Sequence, residues 1–150
     1  MMEPTFRLTN DGKRIQKEMK ELEKLMVAIG FPDGGPTDEN GVSIAEYAAY
    51  NDLGTNRAVS RPFMRNSVEK HGGDYNKMAE QAIKDIMNGG TAQAALEKLG
   101  VFAKGLVQEE ITDGVYEANK DTTIERKGSS KPLIDTGTMR NSVNYEIRKR

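Results

Sequence analysis

SIAEYAAYNDLGTNRAVSRPFMR, residues 43–65, is the stretch whose reading decides the fold. Ser43 can accept a hydrogen bond from a free N–H at the head of a helix. Glu46, three residues on, can reach back to the N–H of Ser43, the pattern of a capping box. Ile44, Ala45, Tyr47, Ala48 and Ala49 predict a short helix whose alanine face lets another element come close. Gly54 ends it, because glycine takes the left-handed conformation without a Cβ clash. Residues 55–59 read as loop. Ser60 is a candidate cap for a second helix, and Pro62 suits its first turn, where a missing N–H costs nothing. Phe63, Met64 and Val68 supply that helix with an apolar side. The unit is helix, exposed turn, helix.

Outward from this unit, the apolar periodicity gives the larger elements. Residues 1–9 read as a loose N-terminal arm, and Asn10 or Asp11 can cap a first long helix. Ile15, Met19, Leu22, Leu25 (or Met26) and Ile29 recur at spacings of three and four, which marks one apolar face. The run MVAIGF, residues 26–31, can instead leave that helix as a strand. Pro32, Gly34, Gly35, Pro36 and Gly41 predict a mobile loop over 31–42. Beyond His71, Asp74 can cap a third helix with Met78, Ala82, Ile83 and Ile86 on one side, stopped by Gly89 and Gly90. Thr91 can cap a fourth over 92–112, striped by Ala95, Leu99, Phe102, Leu106 and Ile111. Gly100 and Gly105 inside it each cost about 1 kcal/mol relative to alanine. They mark either close approach of another backbone or a kink. Residues 114–116 read as a short strand and 119–131 as a mobile loop. Asp135, Thr136 and Thr138 can cap a last short helix. Val143, Tyr145 and Ile147 then alternate with polar partners as a strand does.

Length and composition bound the function. At 150 residues the chain reads as a single domain, 1–150, able to bury one core. A net charge of −1 argues against a dedicated nucleic-acid binder, which carries a clear basic excess. There is no cysteine, which excludes disulfides and thiolate metal sites and fits a reducing cytoplasm. No apolar run approaches the roughly 18 residues of a membrane span. The N-terminus lacks the basic-then-apolar pattern of a secretory signal. His71 is the only histidine, so neither a His-based metal cluster nor a Ser/His/Asp triad can be assembled in one chain. No cofactor, metal or catalytic residue is expected.

Two motifs invite a catalytic reading. Leu133-Ile-Asp-Thr-Gly137 has the Asp-Thr-Gly of an aspartic protease turn. That chemistry needs two aspartates sharing a proton, a flap and a β-barrel after the motif, and only about a dozen residues follow Gly137. A helix cap at Asp135 with a sharp turn at Gly137 explains the motif without catalysis. Gly128-Ser-Ser-Lys131 has the composition of a phosphate loop. It lacks the Gly-Lys-Ser/Thr order between strand and helix, and Pro132 removes a backbone donor.

Two blocks carry a family resemblance. Tyr47-Ala-Ala-Tyr-Asn-Asp-Leu-Gly-Thr55, followed by Arg61-Pro-Phe-Met-Arg65, resembles a motif of the minor tail and neck proteins of tailed bacteriophages, the tail-completion and virion-morphogenesis proteins. Lys127-Gly-Ser-Ser-Lys-Pro-Leu-Ile-Asp-Thr-Gly-Thr-Met-Arg-Asn-Ser142 resembles a second block of the same group, in the same order. Asp52-Leu53 stands where that family has Glu-Phe. The resemblance implies an α+β fold in which two long helices, near 10–29 and 91–112, pack on a small antiparallel sheet with additional short helices. Strands are expected near 27–31, 114–116 and 141–148, with a possible fourth in the loop before Arg61. It implies a structural virion protein, not an enzyme. Such a protein would form a homo-oligomeric ring at the head–tail neck or tail end, as tail completion, tail terminator or head–tail joining component, assembled in the host bacterial cytoplasm. Its partners would be other neck and tail proteins, with no membrane and no sequence-specific nucleic acid. The alternative is a DNA-contacting connector lining the passage for the genome. The subunit contacts expected on this reading are Asn51, Asp52, Thr55, Arg57, Arg61 and Arg65 on the first block, and Lys127 and Lys131 on the second loop.

Overall fold

The computed structural model describes residues 7–38, 40–116 and 137–150. Among these residues six helices and one two-stranded antiparallel sheet follow in the order α1 (Asn10–Lys24), β1 (Leu25–Gly30), α2 (Ile44–Leu53), α3 (Phe63–Glu69), α4 (Gly72–Met87), α5 (Ala92–Asp113), α6 (Thr138–Ser142) and β2 (Asn144–Lys149). The fold is α+β, with one long helix, not two.

The 22-residue α5 is the axis of the molecule. Thr91 caps it as the sequence predicts, its side chain accepting from Ala94 N at 3.1 Å. One side of α5 meets α2, α3 and α6 through a cluster of Ile44, Ala48, Phe63, Val107, Ile111, Met139 and Val143. A second cluster joins Ile86, Ala92 and Ala95 with Met19, Leu22 and Ala82, gathering α1, α4 and the start of α5. A fully buried side chain of this size contributes about 1.5–3 kcal/mol before ordering entropy is subtracted.

Helix α1 is shorter than its apolar stripe suggests. Thr9, not Asn10 or Asp11, is its cap, accepting from Gly12 N at 3.0 Å. It stops at Lys24, where Leu25 turns extended with φ −112° and ψ 156°. The reason is tertiary. Val27 and Ile29 are strand formers that pair with Ile147 and Tyr145 in β2, and that ladder outweighs one more helical turn.

Two side chains of α1, one turn apart, hold the helix ends beside it. Arg14 donates through Nη2 to Ile86 O at 2.9 Å and through Nη1 to Gly90 O at 3.1 Å, closing the C-terminus of α4. Glu18 accepts from Ala92 N at 2.9 Å at the head of α5. A cation at a C-terminus and a carboxylate at an N-terminus both suit the helix dipole.

The sheet lies across α5. A Cβ at Gly100 would stand 2.2 Å from Tyr145 Cδ2, so this glycine is the site where β2 lays its tyrosine ring on the helix. The approach is by a side chain, not by backbone. Among the described residues a Cβ at Gly105 would meet nothing within 4 Å, and this glycine serves no such contact. Residues 114–116 form no strand. Tyr116 folds back over Gly114 to hydrogen-bond Glu110 at 2.5 Å, which spends the segment on closing α5. The loop before Arg61 likewise contributes only an isolated bridge, Thr55 to Ala58. The expected strand over 141–148 loses its first residues to α6, because Gly137, at φ +77°, starts a helical turn that runs to Ser142. That turn buries Met139 and brings Val143 onto the core.

The loop after β1 is closed by its own bonds. Asp38 Oδ1 accepts from Asn40 N and Val42 N, each at 2.8 Å. Ile44 N donates to Pro36 O at 2.9 Å. The rings of Phe31 and Phe63 meet edge-on at 6.2 Å and fix this loop against α3.

Candidate functional site: the α2–α3 hairpin

The hairpin begins with the cap that the sequence predicts, Ser43 Oγ accepting from Glu46 N at 3.2 Å. The Glu46 carboxylate turns outward instead of reaching back, and takes the Tyr50 hydroxyl at 3.0 Å. That hydrogen bond to a carboxylate holds the Tyr50 pKa above its ordinary value. Gly54 ends α2 at φ +78° and ψ 173°, a conformation confined to glycine. A Cβ there would also lie 2.8 Å from Ser60 N. The position is thus closed to other residues both by conformation and by space.

Between the helices the chain makes a tight turn closed by its own hydrogen bonds. Thr55 N donates to Ala58 O at 2.8 Å, and Thr55 Oγ1 accepts from Ala58 N at 3.0 Å. Below the turn the two helix ends are cross-linked by polar bonds. Arg61 N donates to Asn51 O at 2.7 Å, and Ser60 Oγ donates to Asp52 O at 2.7 Å. Asp52 Oδ1 accepts from Met64 N at 2.9 Å.

That last bond corrects the predicted cap. Ser60 does not cap α3; its hydroxyl is turned back to α2. The cap is Asp52, supplied across the turn from the preceding helix. A carboxylate there satisfies an orphan N–H and complements the positive end of α3.

The expected contact residues of the first block therefore divide into two groups. Asn51, Asp52 and Arg61 form the base of the hairpin. Asn51 Nδ2 donates to Tyr47 O at 2.9 Å, and Arg61 is only 8% exposed. Arg61 belongs to the interior of the unit and is not open to a neighbour. Thr55, Arg57 and Arg65 face outward, the first two at the turn and the third on α3. Lys127 and Lys131, with Asp135 and the whole phosphate-loop-like stretch, lie outside the described residues.

Three apolar side chains complete the outer surface. Leu53 is 74% exposed, Tyr50 47% and Val59 41%. With residues 54–58 and Ser60, Leu53 and Val59 line an open concavity beside the turn. The signal for Tyr50 and Leu53 was present in the sequence. Glu46, Ala49, Tyr50 and Leu53 share one helical stripe, at i, i+3, i+4 and i+7, opposite the buried Ile44 and Ala48. Helix α2 is apolar on two faces, and a helix of that kind is ordinarily covered on both.

A second polar cluster stands where α5 ends. Glu110, 5% exposed, accepts from Lys70 Nζ at 2.7 and 3.0 Å and from the Tyr116 hydroxyl. Asn66 Nδ2 donates to the same hydroxyl at 3.3 Å. Burial first, and then the bond to the Glu110 carboxylate, push the Tyr116 pKa well above its ordinary value. The cluster ties α3 to α5. Each buried polar group in it is partnered, and it has the character of a brace.

Among the described residues no group of three or more His, Asp or Glu could hold a metal ion. No helix among them is long and apolar enough to cross a membrane. No protein-family profile matches the chain, and comparison with curated proteins and with solved structures gives no significant match.

Proposed function

We propose that this chain is a structural, non-enzymatic subunit of a tailed-bacteriophage virion. It forms a ring at the neck or at the head-proximal end of the tail, as a tail-completion, terminator or head–tail joining component. The observation that carries the reading is the α2–α3 hairpin. The block that resembles the phage neck and tail proteins, 47–55 with 61–65, coincides with a rigid projecting turn. Its base is locked by Asn51, Asp52 and Ser60, while Leu53, Tyr50, Val59 and Arg57 are left exposed. Apolar side chains with an arginine at the rim suit a protein interface, where aromatic residues and arginine carry much of the binding energy. The partners are further copies of the chain and neighbouring neck and tail proteins. The place of action is the virion, after assembly in the host bacterial cytoplasm.

The test is a double substitution on the outward side of the hairpin, Arg57→Glu with Arg65→Glu. Both side chains are exposed, so the subunit keeps its stability within about 0.5 kcal/mol. The expected phenotype is unjoined heads and tails, or tails of faulty length. Infectious virions in normal yield that lack the protein would refute the reading.

A further inference from the structure

Among the described residues neither edge of the two-stranded sheet is paired with a further strand, and the hydrogen-bond phase of its ladder shows what those edges fit. Leu25 stands opposite Lys149, and the pairing runs in register to Gly30 opposite Asn144. Just outside it, Arg150 N donates to Lys24 O at 2.8 Å. In an antiparallel ladder, hydrogen-bonded and non-hydrogen-bonded pairs alternate. The even-numbered residues of both strands therefore bond inward. The N–H and C=O groups of Val27 and Ile29 point away on one edge, and those of Tyr145 and Ile147 on the other. Among the described residues no backbone bond from outside the sheet reaches any of them.

We infer that a second copy of this chain adds its β1 antiparallel to the outer edge of β2, so that the sheet continues from subunit to subunit. In the register already used inside the subunit, Val27 of one copy stands opposite Ile147 of the next, and Ile29 opposite Tyr145. Within the subunit these are non-hydrogen-bonded pairs. Across the new contact they become the hydrogen-bonded ones, so every outward group of the four residues finds a partner. The α5-facing apolar side chains remain on one face, because the side-chain period is two. On the other face Glu146 and Arg148 fall beside Ala28 and Met26 of the neighbour, and like charges are kept apart.

The composition of the two edges favours this pairing over its rivals. β1 is LMVAIG, without a charge or a proline to guard it. β2 carries Glu146, Arg148 and Lys149. Two copies of β1, or two of β2, would satisfy one edge and leave the other open. Joining β1 to β2 uses both edges of every subunit. Such head-to-tail contacts propagate, and they end only when the assembly closes. Closure into a ring rests on the function proposed above; the strand pairing itself does not.

The chain has no cysteine, which permits a direct test. Met26 and Arg148 lie on the outer face and are exposed. In the proposed contact they form a non-hydrogen-bonded pair, close enough for a disulfide. Full-length Met26→Cys and Arg148→Cys proteins are mixed in equal amounts at high concentration, oxidised mildly, and resolved by mass. The expected product is the mixed 26–148 dimer, in about tenfold excess over either homodimer given the geometric selectivity of disulfides. Dominance of either homodimer, a statistical mixture, or no cross-link would overturn the inference. Amide exchange on the wild-type chain gives a readout without substitution. Assembly should slow Val27, Ile29, Tyr145 and Ile147 together, and slowing on one strand only would contradict the pairing. Particle mass separates this inference from the ring. Open chains that still give the 26–148 cross-link would refute closure alone, whereas closed rings without the cross-link would refute the strand pairing alone.

Discussion

Gly100 and Gly105 lie in the same helix, five residues apart, and alanine should act on them with opposite signs. Removing a glycine from a helix interior gains about 0.8–1.0 kcal/mol of backbone entropy and propensity. At Gly105 a Cβ meets nothing within 4 Å, so Gly105→Ala should be stabilising by about that amount. At Gly100 the new Cβ would stand 2.2, 2.5 and 2.7 Å from three ring carbons of Tyr145. The ring cannot simply step aside. Its hydroxyl bonds Glu97 Oε2 at 2.6 Å, one turn earlier on α5, and its backbone is held in the ladder opposite Ile29. Overpacking of this kind costs about 1–3 kcal/mol and sometimes more. Set against the propensity gain, Gly100→Ala should come out destabilising, by roughly 0–2 kcal/mol. Urea unfolding followed by circular dichroism measures both, and at this size each kcal/mol moves Tm by about 2–4 °C. A double-mutant cycle isolates the cause. In a Tyr145→Ala background the clash is absent, and Gly100→Ala should then stabilise by about 1 kcal/mol, as at Gly105. If Gly100→Ala stabilises the wild-type chain, or if its effect is unchanged without the tyrosine ring, the packing of β2 on α5 described above is wrong.

Four further outcomes follow from the other contacts. Asp52→Asn should keep most of the stability, because asparagine caps well, while Asp52→Ala should lose about 0.5–2 kcal/mol and increase amide exchange at Met64. Arg61→Ala should destabilise measurably and Arg57→Ala should not, since Arg61 is buried and Arg57 is exposed; equal effects in thermal unfolding would contradict the division of the hairpin into base and tip. Arg14→Met should lower stability by about 1.5–3 kcal/mol, the usual size for hydrogen bonds from a charged donor, through loss of its bonds to the end of α4. Tyr116 has a folded pKa raised above its unfolded value, so its contribution to stability is fully present below about pH 10 and declines as the pH rises beyond that. Ultraviolet titration of the folded chain should find tyrosines ionising above the ordinary range, and Tyr116→Phe should remove one of them.

Much of this architecture is legible in the chain because local signals and tertiary contacts agree. Ser43 and Thr91 are caps in the sequence and in the structure. Of the predicted stripes, Ile86 on α4 and Ala95, Leu106 and Ile111 on α5 are buried, whereas Met78, Ala82, Ile83, Leu99 and Phe102 are half-buried and the core face of α5 runs also through Leu96, Ala103 and Val107. Val143, Tyr145 and Ile147 turn inward as their alternation requires. Disagreement arises where a distant partner decides. The run 26–31 reads locally either as more helix or as a strand, and the pairing of β1 with β2 decides for the strand, which begins at Leu25. Nothing near Ser60 shows that Asp52 takes the capping role, because that bond spans twelve positions and depends on the turn at Gly54. Arg61 reads as a surface arginine in a polar stretch, and only the closing of the hairpin buries it. The exposed Tyr50 and Leu53 were written in the sequence as a second stripe, yet short helices give such stripes too few turns to separate core from contact surface.

The central claim is a position in a particle, and the most direct measurement locates the chain there. Virions assembled with a copy carrying an epitope tag at the N-terminus can be labelled with antibody fragments and averaged by cryo-electron microscopy. The account predicts a closed ring of label at the head–tail junction or the head-proximal end of the tail tube, and loss of that ring in the Arg57→Glu, Arg65→Glu variant. Label on the capsid shell or on the tail fibres, or complete virions without label, would contradict it.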